Sequence, residues 1–426
     1  MEHNAGSQHN PAPGRTAASA IDRTFLWTGN TEVVFALIKS TEDWMNVDQD
    51  TNLAGIRIIL FVEDSPEYTS AVLTILYKEL VLQAQAVIDA GLNEEHRLLA
   101  MRARPKILVV DNFEDAVAVY EKYESNVLGV ISDVRFPRKG KLDSKAGLRL
   151  LKKIKSERFD IPQLLISNES RNKDLATRIP ARFVDKNSPT LPSDIREYFK
   201  KDLGFGSFIF KMADGRVIGK ATNLRELEKM VVTIPKASFL RHVRRNDISR
   251  WLFARTEIDL AARIRPLHDD DYADARTYCT HIAEIIHQRR IQRQKGLVID
   301  FDPQNLDPDT EFLKLGSGSL GGKARGLAFM NTLLQQHADL YAKFENIKIG
   351  VPQTLVITTE EFEHFVELNE LQYLAKEELA DELVAERFMA AAMPDRLVDQ
   401  LRAYLSNVNF PLAVRSSSLL EDAQYR

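Results

Sequence analysis

Charged and hydroxyl side chains stand at the ends of apolar runs along the first half of the chain. Ile56–Val62 runs into Glu63 and Asp64, Val127–Ser132 into Asp133, Ile161–Ile166 into Ser167, and Ala181–Val184 into Asp185 and Lys186. Polar groups at the carboxyl ends of buried parallel strands sit where open α/β sheets place their chemistry. Three carboxylates, Glu63, Asp64 and Asp133, form a hard oxygen site suited to Mg²⁺. Such a cation offsets their mutual repulsion and neutralises an incoming phosphoryl group. Asp133 then has the makings of a nucleophile that forms an acyl phosphate. Lys186 supplies a point charge for phosphoryl oxygens, and Ser167 a hydroxyl able to bond them. The plainer reading is a set of solvated acids in loops after strands.

A second candidate lies near residue 320. Leu315-Gly-Ser-Gly-Ser-Leu-Gly-Gly-Lys-Ala-Arg-Gly326 is the densest glycine cluster, and a helix pattern follows from Leu327 to Gln336. Glycines let backbone N–H groups approach an anion, and a helix start adds a favourable dipole. Lys323 adds charge. A Walker A loop needs glycine six residues before the lysine and Ser or Thr after it. Ser317 and Ala324 occupy those positions. Gly316, Gly318 and Gly321 match a dinucleotide spacing, but the apolar run before them, Phe312–Leu315, is short. The alternative is a flexible interdomain turn.

These groups meet only if the intervening elements bring them together. Strands are expected at Ile56–Val62, Lys106–Val110, Leu128–Ser132, Ile161–Ile166 and Ala181–Val184. Helical patterns lie between them, at Pro66–Arg104 (broken near Gly91 and Asn93), Glu114–Tyr123 and Ala146–Ser156, and a last helix spans Asp194–Leu203. Arg138–Lys145 reads as a polar loop. Strands alternating with helices predict a doubly wound parallel sheet, whose right-handed crossovers bring the strand ends to one edge.

Residues 1–21 read as a disordered tail, without the basic start and apolar core of a signal peptide. Thr24–Trp27 and Thr31–Met45 read as a strand and a helix too small to bury a core alone. Beyond Gly204 a hairpin is expected from Phe208–Lys211 and Arg216–Lys220, then a helix capped by Asn223. Residues 236–265 carry a net excess of five basic side chains, with Trp251 and Phe253 among them. A helix face paired with neighbouring acids is preferred there over a nucleic-acid surface. Another polar helix is expected at His281–Gln294.

With 426 residues the chain has room for several domains. A net charge of −4 gives no electrostatic case for nucleic acid. The single cysteine, Cys279, rules out an intrachain disulfide, which fits a cytoplasmic setting. No apolar run is long enough to span a bilayer.

The strand-end residues resemble the receiver domain of two-component response regulators. The matching pieces are Phe61-Val-Glu-Asp64, Ser132-Asp-Val-Arg-Phe-Pro137, Ala146-Gly-Leu-Arg-Leu-Leu151, Ile161–Ser167 and Phe183-Val-Asp-Lys186. The resemblance covers residues 54–203. It implies that Asp133 is the phosphoacceptor, Glu63 and Asp64 hold Mg²⁺, Ser167 and Phe183 are the switch pair, and Lys186 binds the phosphate. It also implies a sensor histidine kinase or a small phosphodonor as partner. Asp64 and Asp133 are 69 positions apart, more than in a usual receiver, and Asn187 rather than proline follows Lys186.

Ile349–Phe362 reads as a strand followed by a capped helix, and Pro411-Leu-Ala-Val-Arg-Ser-Ser-Ser-Leu-Leu-Glu-Asp422 as a strand ending in Arg415 and three hydroxyls; together with Gly321-Gly-Lys-Ala-Arg-Gly-Leu-Ala328 they resemble the start of the ATP-binding domain of phosphoenolpyruvate synthase and pyruvate phosphate dikinase. That resemblance implies that Gly321 and Gly322 wrap ATP while Lys323 and Arg415 contact its phosphates. It also implies an ATP-grasp-like fold, with further dikinase domains required for a whole reaction. The expected organisation is a tail (1–21), a strand–helix piece (22–53) left from a preceding domain, a receiver-like domain (54–203), an α/β connector (204–311) and a partial nucleotide domain (312–426). The expected function is a phosphorylation-regulated ATP-binding phosphotransferase, truncated at both ends. The competing expectation is a signalling scaffold without turnover that carries a relic nucleotide domain.

Overall fold

The computed structural model describes residues 23–27, 29–89, 104–294, 297–303, 306–307, 310–337, 349–375 and 379–416. The expected tail, the break near Gly91 and Asn93, and the stretch beyond Ser416 lie outside them. The described residues up to Ile286 form one compact unit, and those from His287 onward form another.

The first unit is built on β1 (Ile58–Val62), β2 (Lys106–Val110), β3 (Val127–Asp133), β6 (Gln163–Ser167) and β7 (Arg182–Asp185). They lie in the order β2-β1-β3-β6-β7, and every pairing is parallel. Strands β1, β2 and β6 are buried along their whole length. That explains why they read as continuous apolar runs rather than as alternating ones. Helices α2 (Pro66–Asp89), α3 (Phe113–Lys122), α4 (Ala146–Glu157), α5 (Lys173–Thr177) and α6 (Leu191–Glu197) separate or follow the strands. Asn112 caps α3, its side chain accepting from Asp115 N–H at 2.9 Å.

Helix α1 (Glu32–Ala54), from the piece expected at 22–53, is longer than its apolar spacing predicts and buries Ala36 in the same core as Ile59, Phe61 and Leu76. Its Asp43 is fully buried. It accepts from Tyr77 Oη at 2.8 Å and from Ile107 N–H at 2.8 Å, and pairs with Arg104 at 2.7 Å. Thr24–Trp27 does not form the expected strand. A side chain meets the edge of β2 there instead of a backbone ladder: Arg23 Nη2 donates to the Val109 carbonyl at 2.5 Å.

The expected polar loop after Asp133 is a small hairpin, β4 (Phe136–Arg138) and β5 (Lys141–Asp143). Lys139 and Gly140, at φ 52° and 71°, make its turn. Positive φ at both central positions is what a tight two-residue hairpin requires, and only Gly140 announces it in the sequence.

The hairpin β8 (Phe208–Lys211) and β9 (Val217–Ala221) is antiparallel, and Asn223 caps α7 (Leu224–Thr233) with its side chain accepting from Glu226 N–H at 2.9 Å. Helices α8 (Lys236–Arg244), α9 (Asp247–Ala254), α10 (Ile258–Ile264) and α11 (Ala275–Gln294) follow. Part of the basic stretch turns inward, while Arg244, Arg245 and Arg263 stay exposed. Arg255 lies with its guanidinium carbon 3.7 Å from the Trp251 ring centroid and donates to the Gly204 and Gly206 carbonyls at 2.7 and 2.9 Å. Arg244 pairs with Asp269 at 2.5 Å and Arg250 with Asp247 at 2.6 Å.

In the second unit β10 (Ile299–Asp300), β11 (Phe312–Leu315) and β12 (Thr354–Ile357) form a parallel sheet in that order. Helices α12 (Gly322–Gln336), α13 (Thr359–Leu368), α14 (Asp381–Ala390) and α15 (Asp395–Leu405) accompany it. The expected strand at Pro411–Arg415 is absent. Residues 411–416 are irregular and exposed, Val414 being 96% exposed. Among the described residues no neighbouring strand buries Leu412 and Val414, so their β propensity finds nothing there to pack on.

Candidate functional site

Parallel strands end together. Glu63 follows β1, Asp133 closes β3, Ser167 closes β6 and Lys186 follows β7, so all reach the same edge of the sheet. Carboxylate oxygens of Glu63, Asp64 and Asp133 lie within 4.8 Å of one another. Lys186 enters between two of them, its Nζ 2.5 Å from Glu63 Oε2 and 3.1 Å from Asp133 Oδ2. The Lys186 side chain is almost fully buried, and its ammonium lies 4.4 Å from the Tyr68 ring centroid. Asp133 Oδ1 accepts from Val134 N–H at 2.7 Å, which fixes the carboxylate and leaves Oδ2 facing the lysine.

Burial and the Asp133 charge beside it outweigh the Lys186 ammonium and push Glu63 up to about 7. Burial and Asp133 raise Asp64 as well. Glu63 Oε2 is shut off from solvent and, although it touches Lys186 Nζ, has no partner with hydrogen-bond geometry. Three carboxylates against one ammonium leave an excess of negative charge, and one buried oxygen is poorly satisfied. These are hard oxygen donors at the spacing a small divalent cation needs, so the residues fit Mg²⁺.

Gly147 lets the first turn of α4 reach the end of β3. Its N–H donates to Val134 O at 3.1 Å, and a Cβ there would lie 1.8 Å from the Asp133 carbonyl oxygen. Ser167 is buried, and its hydroxyl accepts from Glu169 N–H at 3.2 Å and Asn172 Nδ2 at 2.9 Å. Phe183 packs partly buried against the apolar cluster under this edge. Tyr68, two residues into α2, was not singled out from sequence, and Asn187, whose side chain accepts from the Tyr68 Oη at 3.3 Å, was noted only as the residue that replaces a proline after Lys186. The adjacency of Asn187 to Lys186 was the available signal.

In the second unit β11 runs into the glycine loop. Gly321, at φ 76°, precedes the first turn of α12, where Gly322 and Lys323 lie. The loop packs on the start of α13. Ser317 donates through its N–H (2.5 Å) and its hydroxyl (2.6 Å) to Glu360 Oε2, and Ser319 N–H donates to Thr359 Oγ1 at 3.0 Å. The two Ser317 bonds hold Glu360 below the usual carboxylate range. A Cβ at Gly318 would lie 2.6 Å from Glu360 N, so only glycine allows that approach. Thr358 does not cap α13 through its side chain, contrary to the capped helix expected there. Arg415 lies in the exposed irregular segment 411–416.

A family model described as the pyruvate phosphate dikinase AMP/ATP-binding domain matches residues 317–426. The match takes in most of the glycine loop, Lys323, α13 and Arg415, and it supports a dikinase-type, ATP-binding C-terminal region. A search of curated proteins returned no match. Among the described residues no helix is long and apolar enough to cross a membrane.

Proposed function

We propose that the chain is a phosphorylation-regulated, ATP-binding phosphotransferase related to phosphoenolpyruvate synthase and pyruvate phosphate dikinase, with a receiver-like unit as its regulatory input. The single observation that carries the regulatory half is Lys186 bridging Glu63 and Asp133 at the strand ends. The family match over 317–426 carries the nucleotide half.

In this reading Asp133 Oδ2 attacks the phosphorus of a sensor histidine kinase's phosphohistidine or of a small acyl phosphate. A P–O bond forms to Asp133 as the bond to the donor breaks, and the donor leaves with the electron pair. Mg²⁺ held by Glu63, Asp64 and Asp133 would neutralise charge on the transferring group. Lys186 then holds a phosphoryl oxygen in place of the carboxylate it bridges now, and Ser167 turns its hydroxyl to another. Movement of Ser167 and the half-buried Phe183 carries the change to the receiver-like surface. In the second unit Lys323 and the N–H groups of the glycine loop hold ATP phosphates, with Arg415 joining them.

Incubation with acetyl phosphate and Mg²⁺ is expected to label wild-type protein on one residue and to leave Asp133→Asn unlabelled. Equal labelling of Asp133→Asn would falsify the regulatory half. ATP titration tests the other half: affinity that ignores both Lys323→Ala and Arg415→Ala would favour a signalling scaffold without turnover.

A further inference from the structure

The strand ends opposite the acidic edge hold a second charged cluster, built from cations. Arg57 stands just before β1, Val127 and Leu128 open β3, and Asp160, Ile161 and Pro162 lead into β6. Arg250 and Phe253 of α9 and Arg265, just past α10, complete the lining of a small open cleft. Three guanidinium groups and one carboxylate face it.

The acids nearby are already shared. Asp160 pairs with Arg265 and, at 3.5 Å, with Arg158, and its carbonyl accepts from Arg250 Nη1 at 3.2 Å. Asp247 takes another edge of Arg250 at 2.6 Å. Arg57 has no carboxylate partner among the described residues. It donates to the Ser125 carbonyl, while its Nε is buried with no hydrogen-bond partner. Its guanidinium carbon lies 3.3 Å from the Phe253 ring centroid, and that of Arg265 lies 6.0 Å from the same ring. Stacking occupies the face of the Arg57 group and Nη1 is given to Ser125, so Nη2 is the donor left for a ligand. Burial, with Arg265 and Arg158 close by, pushes Arg57 down to about 9. Cations crowded under partial burial with too few anions are costly unless an anion joins them.

We infer that this cleft is a binding site for a phosphate-type oxyanion, held by the edges of Arg57 and Arg265 with Arg250 beside them. Guanidinium forks suit the paired oxygens of a phosphoryl group. The space inside the cleft is about 10 Å³, room for one oxygen-sized atom, so the ligand seats one oxygen inside and keeps its bulk in solvent. Free phosphate and the phosphoryl end of a small monoester share that chemistry. The site lies at the opposite ends of the strands that carry Asp133 and is independent of the phosphotransfer proposed above.

The test is calorimetric titration of the full chain with inorganic phosphate in EDTA, which removes divalent cations from the acidic edge. Saturable binding is expected, weakened about tenfold or more in Arg57→Gln and in Arg265→Gln and unchanged in Lys229→Gln, an exposed cation on α7 outside the cleft. Circular dichroism checks folding. If Arg57→Gln does not fold, Arg265→Gln, whose side chain is a quarter exposed, decides. Arg57→Lys keeps the charge without the fork and is expected to bind between wild type and Arg57→Gln. Methyl phosphate as a second probe separates the sources: binding equal to phosphate points to a monoester, and binding of phosphate alone points to the free ion. No saturable binding, binding that survives both cleft variants, or binding lost in Lys229→Gln overturns the inference.

Discussion

At the residue scale Glu63 couples burial to charge. Its pKa in the folded chain is raised to about 7, against an ordinary value of 4.5. The folded state therefore holds a proton that the unfolded state has released, so between about pH 4.5 and 7 stability falls as pH rises. Metal-free protein is expected to melt at lower temperature at pH 7.5 than at pH 5.5, and Glu63→Gln should flatten that slope. Mg²⁺ competes with the proton, so its stabilising effect should be larger at pH 7.5. A melting temperature that rises across this interval equally in wild type and Glu63→Gln would remove Glu63 as the cause. The outlines of this site were legible in the residues: acids, a hydroxyl and a lysine at the ends of apolar runs. The Tyr68 ring beside Lys186 was not, because a tyrosine two residues into α2 carries no pattern until the helix is docked.

At the element scale two contacts fix the edge that carries Asp133. The first is the close approach of α4 to β3 at Gly147. Gly147→Ala puts a methyl group against the Asp133 carbonyl and is expected to cost about 1–3 kcal/mol by overpacking, with loss of acetyl phosphate labelling as the strand end shifts. A variant of wild-type stability that labels normally would show that the approach is not needed. The second is α1. Asp43 is buried with Arg104 and Lys106 around it, Lys106 Nζ lying 3.8 Å away. Asp43→Ala leaves the buried Arg104 without its carboxylate, while Lys106 keeps Asp50, and is expected to destabilise the first unit by about 3–5 kcal/mol, read by chemical denaturation. The parallel strands were legible because burial on both faces leaves an unbroken apolar run. Helix α1 beyond Met45 was not, because Asp48 and Asp50 make it look polar. Asp48 and Asp50 meet Lys122 and Lys106 at 2.7 Å in both cases, and those partners are distant in sequence.

At the scale of the whole molecule the described residues fall into two compact units, and the proposed ligands divide between them. Calorimetry should resolve this. Mg²⁺ is expected to raise one thermal transition and ATP the other, by an amount that grows with ligand concentration over Kd. Lys323→Ala should cancel the ATP shift and leave the Mg²⁺ shift intact. Both ligands moving a single transition that Lys323→Ala leaves unaltered would count against separate sites.

The sequence by itself determined that a parallel sheet exists, because apolar runs closed by polar groups recur between helical patterns, and it determined that Glu63, Asp64, Asp133 and Lys186 share its edge, because right-handed crossovers align strand ends. Only the tertiary structure decided how charge is distributed there. That Lys186 bridges Glu63 and Asp133, that Arg57 is left without an acid beneath Phe253, and that 411–416 makes no strand all depend on partners far away in the chain. Pairing, burial and sheet closure are long-range facts, and local pattern does not encode them.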